Sequence, residues 1–201
     1  SDESYVYVPA NSPIKTMRDA DGKTVAFSTV GASTYSMVTG IAEAYGVKPK
    51  FTATGAIPAT YTMTMSGQVD IGWAAAPFGL KEEREGKIRI LAWGKEARNF
   101  STQTVRVNIA HAQVLAERRE ALQKFMRAYR EALVWSYKAP DATKALSQLL
   151  GYPEEMLEEI RTRYMSLERG QIDDIENLEQ STKDAIEFKY ISAPLTAAQE
   201  A

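Results

Sequence analysis

Between Lys15 and Arg98 the apolar residues keep changing their period, and this alternation constrains the chain more than any other feature. TVAFS, KFTATG, VDIGWAA and IRILAWG read as strands, rich in β-branched and aromatic residues. Between them TYSMVTGIAEAYG, ATYTMTMSG and FGLKEEREG carry apolar residues at helical spacing. Gly46, Gly67 and Gly86 each follow a helical run directly, where a left-handed residue ends a helix. Strands that take turns with helices pair in parallel, because each return to the starting edge of a sheet needs a crossover. The expectation is an α/β unit with a mostly parallel sheet covered by helices.

After Arg98 the pattern is different. TVRVNIA alternates, with Val105, Val107 and Ile109 on one face, and predicts a single strand. A long helix follows, with Leu115, Leu122, Phe125, Met126, Tyr129 and Leu133 in an apolar stripe at three- and four-residue spacing. Pro140 and Pro153 mark helix breaks, and Gln171 to Ala201 reads as one or two further helices. These stripes need an apolar face, and this half offers one strand to supply it. Either YVYVP near the N-terminus adds a strand and a partner chain the rest, or the chain is a fragment of a longer protein. The expected organisation is a strand or hinge segment over 1–14, an α/β lobe over 15–98 carrying half of a ligand cleft, and a crossover strand with helices over 99–201.

Charge removes several functions from consideration. The 24 Lys and Arg are scattered among 26 Asp and Glu for a formal net charge of −2, so no basic stripe exists to track a phosphate backbone and nucleic acid is not an expected partner. No apolar run approaches the roughly 18 residues of a membrane span, and SDESYVYV lacks the charged and apolar regions of a signal peptide. A mature, processed or excised chain is expected. With one His and no Cys, no metal site and no cofactor is expected. Absent Cys also suits an exported protein that avoids stray disulfides.

FSTVGASTYSMVTG, Phe27 to Gly40, is the stretch with most chemistry. A β-branched run breaks into Ser, Thr and Gly, then resumes at helical spacing with more hydroxyls in the first turn. Ser28, Thr29, Gly31, Ser33 and Thr34 read, taken alone, as a strand-to-helix turn with a Ser or Thr N-cap. The same letters suit an anion or polar group held by a helix N-terminus. Gly55 and Ala56, with Pro58, form the next strand-to-helix loop, read first as a plain turn. Trp73 reads equally as a core aromatic whose indole N–H has found a carbonyl and as a ligand contact. His111, at the end of its strand, reads as a capping or surface residue, and the charged run Lys81 to Glu85 as a solvated helix face. Tyr5 and Tyr7, alternating with Val6 and Val8, read as a half-buried strand.

Three stretches together resemble a family: "SPIKTMRDADGKTVAFS", "MSGQVDIGWAAAPF" and "LQKFMRAYREALVWSYKAPDATKALSQLLGYPEE". Their order and spacing are similar to the solute-binding proteins of bacterial ABC importers in the branch that takes nitrate, aliphatic sulfonates, taurine and thiamine-precursor pyrimidines. The likeness runs from about Val6 to Leu195. It implies a two-lobe periplasmic-binding-protein fold of type II, with one complete βα lobe and the helical C-terminal part of the other. It implies further that the other lobe takes its first part from an N-terminal βα segment with no counterpart here.

By this resemblance the protein is expected to be periplasmic and to carry a small anionic or polar solute to the membrane subunits of an ABC transporter, closing two lobes around it, without catalysis. The ligand-binding residues it implies are Ser28, Thr29, Gly31, Ser33, Thr34, Gly55, Ala56, Trp73 and Pro77. Where the family often has Glu between Trp and Pro, this chain reads Trp73-Ala74-Ala75-Ala76-Pro77-Phe78, which argues against an amine-bearing ligand. Two alternatives share the fold. One is a ligand-sensing domain of a regulator or receptor, and the other a pyrimidine-precursor synthase, whose expected Cys-rich iron-binding stretch this Cys-free chain lacks.

Overall fold

The computed structural model describes residues 3–97, 102–104 and 107–192. Its strands are β1 (Ser4–Pro9), β2 (Thr24–Phe27), β3 (Lys50–Ala53), β4 (Gly72–Ala75) and β5 (Ile88–Trp93). Its α-helices are α1 (Ser33–Tyr45), α2 (Ile57–Met65), α3 (Leu80–Arg84), α4 (Ala112–Glu117), α5 (Arg119–Lys138), α6 (Ala142–Leu150), α7 (Glu154–Glu159), α8 (Leu167–Gly170) and α9 (Leu178–Glu187). The chain divides into one unit of Ser1–Val105 with Glu176–Ala201 and a second of Arg106–Ile175. Relative to the expected segments 1–14, 15–98 and 99–201, the N-terminal strand and the tail from Glu176 both belong with the α/β unit.

In the first unit β2 and β3 pair in parallel, from Thr24 opposite Lys50 to Phe27 opposite Ala53. A parallel bridge between Val25 and Ile71 carries the sheet on towards β4. Two bonds hold that bridge: Ala26 N–H donates to the Ile71 carbonyl at 2.8 Å, and Ile71 N–H to the Thr24 carbonyl at 3.0 Å. Strand β1 then lies antiparallel between β4 and β5, with Tyr5 opposite both Ala74 and Trp93. The strands follow the order β3-β2-β4-β1-β5. The sheet is therefore mixed where a mostly parallel one was expected. The single α3 crossover leaves β4 and β5 one strand apart, and the YVYV run, which comes from outside the βα alternation, fills the gap from the opposite direction. YVYVP thus completes this unit and not the helical one.

Filling that gap requires two apolar faces. Val6 and Val8 join Val25, Phe27, Met37 and Ile71 under α1, while Tyr5 and Tyr7 join Ala74 and Ile88 on the other side, against Tyr61 and Phe78. Tyr5 and Tyr7 are fully buried, so the half-buried reading is corrected. The Tyr5 hydroxyl donates to the Phe78 carbonyl. Burial pushes the Tyr7 phenol up to about 12.

At the far end of the bridge, Thr24 N–H and the Thr24 hydroxyl donate to the Asp70 carboxylate at 2.8 and 2.7 Å. Burial works against that charge, yet the Thr24 bonds and the nearby Lys23 outweigh it and hold the Asp70 carboxyl below its usual range. The tail is tied in by pairing where the chain leaves and returns: Thr104 N–H donates to the Glu176 carbonyl at 3.2 Å, and Glu176 N–H to Thr104 Oγ1 at 2.8 Å. Helix α9 is anchored by Gln103 Nε2, which donates to Asp184 Oδ2 at 2.6 Å.

The second unit has no strand among the described residues. Val105 and Arg106 of the expected TVRVNIA strand lie outside them, and Val107 to Ala110 are exposed and unpaired with any strand. An alternating run becomes a strand only where another strand takes its ladder bonds, and none is at hand there. The unit is held largely by polar stapling: the Arg161 guanidinium donates to the Ser136 carbonyl, Thr143 Oγ1 and Glu158, joining α5, α6 and α7. Among its described residues the buried apolar ones are Ala142, Leu157 and Ile160. The expected long helix is broken at Arg118, which places Leu115 on α4, and α5 carries the stripe from Leu122 to Leu133 without burying any of it completely, leaving Phe125 57% and Tyr129 42% exposed. Leu149 is 79% exposed.

Two outcomes are expected. A Cβ at Gly72 would stand 2.5 Å from Thr64 Oγ1 and 2.6 Å from Tyr7 Cζ. Gly72→Ala should therefore destabilise the first unit by about 1–3 kcal/mol in chemical denaturation, as overpacking does. The second concerns the open stripe, since contiguous exposed apolar surface of this kind draws other apolar surfaces. The 201-residue chain should enhance the fluorescence of an apolar dye or self-associate in light scattering, and Phe125→Gln with Tyr129→Gln should reduce that signal while leaving stability within about 0.5 kcal/mol.

Candidate functional site

Strands β2 and β3 and the Ile71 bridge run the same way, so the loops after them emerge at one edge of the sheet. Those loops contain Ser28 to Ala32, Thr54 to Ala56 and, beyond β4, Ala76 to Gly79. The first two are stitched together: Thr54 N–H donates to the Phe27 carbonyl at 2.9 Å and Gly55 N–H to the Ser28 carbonyl at 2.9 Å. Gly31 (φ 87°) and Gly55 (φ 78°) both adopt the left-handed backbone that lets each loop turn sharply into its helix. Ser28, Thr34 and Gly55 are thus brought together, with Thr29, Gly31, Ser33 and Ala56 exposed around them.

The two helices that begin here share an unusual start. The N-cap of α1 is Ala32 and that of α2 is Ala56, and neither supplies a side-chain cap. Alanine is among the poorest N-caps, and the first N–H groups of a helix have no helical carbonyl to bond. The structure therefore replaces the expected Ser or Thr cap with two adjacent helix N-termini that have no side-chain cap, each carrying the positive end of a helix dipole. In α1 the Tyr35 N–H donates to the Ala32 carbonyl at 3.0 Å, and in α2 Pro58 has no N–H, so the donors left are those of the remaining first-turn residues.

The hydroxyls have a different task. Ser28 N–H donates to Thr34 Oγ1 at 3.1 Å, and Ser28 Oγ lies 2.7 Å from the same atom. Thr34 reaches back across the loop and fixes the end of β2. Two hydroxyl protons are present and one is used between the pair, so the other is left for an outside acceptor. Thr54 Oγ1, in turn, sits 2.6 Å from Thr60 Oγ1 and locks the second loop to α2. Sequence reasoning passed over Thr54 and Thr60; the signal available was their six-residue spacing across a Gly, the same as that of Ser28 and Thr34.

Trp73 lies on β4, 8% exposed, in the apolar cluster under α1 with Phe27 and Met37. Its indole N–H is buried and has found no carbonyl. Pro77 follows β4, half-buried, beyond a cis Ala76–Pro77 bond. Neither shares a hydrogen bond with the Ser28–Thr34 pair. His111 lies elsewhere, at the N-cap of α4, where its Nδ1 accepts from Gln113 N–H at 3.3 Å. Among the described residues no group of three or more His, Cys, Asp or Glu is placed to hold a metal ion, and no helix is long and apolar enough to cross a membrane.

The model of one protein family, described as NMT1/THI5 like, matches residues 2–143, well over half of the chain. The chain belongs to the NMT1/THI5-like family. No curated protein matches it. Among solved structures, the periplasmic aliphatic sulphonate binding protein SsuA from Escherichia coli is 18% identical and superposes with a TM-score of 0.65, covering 98% of this chain and 64% of that one. The alkanesulfonate-binding protein SsuA from Xanthomonas axonopodis pv. citri, bound to MOPS, is 16% identical with a TM-score of 0.71, covering 98% and 68%. The Candida albicans CA3427 gene product, described as having the generic periplasmic binding protein fold, is 12% identical with a TM-score of 0.71, covering 94% and 63%. The fold is thus that of the periplasmic binding proteins, and this NMT1/THI5-like chain spans about two thirds of the length of these structures.

The Ser28–Thr34 link predicts a stability pattern of its own. Thr34→Ala leaves the Ser28 N–H without its acceptor and should cost about 1–3 kcal/mol. Thr34→Ser keeps the oxygen and should restore most of it. Urea denaturation of the two variants beside the parent chain checks this; equal stability for all three would mean that the link does not hold the loop.

Proposed function

We propose that the protein is the solute-binding component of an ABC importer, working outside the cytoplasm, and that it holds a small anionic or polar solute at the edge formed by the loops after β2 and β3. The observation that carries this reading is the pair of neighbouring uncapped helix N-termini, α1 and α2, joined through the Ser28–Gly55 bond. Such a pair supplies neutral donors and two dipole ends, which suits a sulfonate, nitrate, organic acid or pyrimidine-like ring without a buried counter-charge. Ser28, Thr29, Gly31, Ser33, Thr34, Gly55 and Ala56 are the proposed contacts, with Trp73 and Pro77 bordering them. Closing of two lobes on the solute and its delivery to membrane subunits belong to the same proposal.

The family name also covers synthases of the THI5 type, so binding has to be separated from turnover. The first solute to try is MOPS, which occupies the Xanthomonas structure, followed by ethanesulfonate, nitrate and a hydroxymethylpyrimidine. Native mass spectrometry should show one solute held per chain and released unchanged. Ser33→Ala, at an exposed position of the first turn of α1, should weaken binding by roughly tenfold or more, the worth of a hydrogen bond to a charged group, with little change in melting temperature. Conversion of a pyrimidine, or equal affinity in the Ser33→Ala variant, would count against the reading.

A further inference from the structure

The segment that follows α9 reaches the same edge from the other end of the sequence. Phe188 packs edge-on against Tyr35 of α1, with ring centroids 5.3 Å apart and planes at 73°, and Tyr190 packs against Phe188 at 5.8 Å. Lys189, between them, has φ 60°, a left-handed backbone that side chains other than glycine seldom adopt. That turn is closed by Tyr190 N–H, which donates to the Ala185 carbonyl at 2.7 Å. Strain held at one residue by surrounding bonds is a reason to ask what it aims.

The residue next to Lys189 carries the Tyr190 phenol. The hydroxyl oxygen is buried and makes no complete hydrogen bond, although the backbone of Gly31 lies beside it. A phenol next to a backbone N–H can offer that group a lone pair while keeping its own proton for a third partner. The Tyr190 proton, beside Gly31, and the spare proton of the Ser28–Thr34 pair, at the two ends of the same loop, are both donors without an acceptor from the protein. A surplus of donors calls for a group that only accepts, such as the oxygens of an oxyanion, and it disfavours an amine or other cation.

We propose that the tail after α9 forms a wall of the solute site and that Tyr190 is a ligand-binding residue, its hydroxyl donating to an oxygen of an oxyanion held at the first turn of α1. This rests on the reading of that edge as the solute site, and it adds a contact from a residue about 160 positions beyond Gly31 in the sequence.

The test is calorimetric titration of the 201-residue chain with MOPS, for the parent, Tyr190→Phe and Ser33→Ala, each with a melting curve. Tyr190→Phe removes one oxygen and keeps the ring against Phe188. The expected result is a loss of affinity of about tenfold or more with an unchanged or higher melting temperature, because a buried hydroxyl without a partner destabilises the empty protein. Parent-like affinity in Tyr190→Phe together with weakened binding in Ser33→Ala overturns the role of Tyr190 and leaves the site in place. Parent-like affinity in both variants, or no binding of MOPS, ethanesulfonate or nitrate by the parent, overturns the site and this inference with it.

Discussion

Strand β1 has to bury both of its faces at once, and the α/β unit is arranged around that requirement. A strand exposed on one side can tolerate polar residues at every second position, but one set between β4 and β5 with packing above and below cannot. YVYV meets the condition with valines towards α1 and tyrosines towards α2 and α3. Full burial of a valine side chain stabilises by roughly 1.5–3 kcal/mol, and the tyrosines bury more surface still. Their phenols set the limits on what lies above them: the Tyr5 hydroxyl needs the Phe78 carbonyl, and the Tyr7 ring leaves room for no side chain at Gly72. The start of β4 and the loop beyond it are therefore fixed from beneath.

That rigidity matters for the edge where the loops collect. A donor array recognises an anion best when it is already in place before the anion arrives, since ordering it afterwards would consume binding energy. Each loop is fastened twice, by backbone bonds to the neighbouring strand and by a hydroxyl pair across the turn, Ser28 with Thr34 and Thr54 with Thr60. The helix N-termini between these fastenings remain without side-chain caps. Stability forgone there, on the order of 1 kcal/mol for each missing cap, leaves first-turn N–H groups without a side-chain partner, and these are the donors proposed for the solute.

Much of this was legible in the sequence where the signal is local. TVAFS, KFTATG and IRILAWG changed period against their neighbours, and strands β2, β3 and β5 lie within them. The loop FSTVGAST announced a strand-to-helix turn, and one forms there. What the sequence did not reveal is non-local. All four residues of YVYV are apolar, so their alternation could not say whether one face or two would be buried, and nothing near them names β4 and β5 as partners. TVRVNIA alternates as cleanly as any strand, yet alternation states only what a partner would find, and Val107 to Ala110 have no strand beside them. The N-cap was misplaced for a related reason: within GAST any residue could begin the helix, and Ala32 does so because Thr34 is engaged with Ser28, a contact that spacing alone does not disclose.

The two units also differ in what holds them, and this bears on how the chain behaves. In the first, buried apolar side chains from β1, β2, β4 and β5 meet those of α1. In the second, one guanidinium joins three helices while the stripe of α5 remains open. Partly exposed polar bonds of this kind contribute little net stability each, because water competes for the same groups, whereas buried apolar area contributes in proportion to its extent. Residues 106–175 should consequently open at a lower free energy than the sheet, as a separate cooperative unit. The candidate solute edge, built wholly on the sheet side with α1, α2 and the tail after α9, stands on the part of the chain that this difference leaves intact.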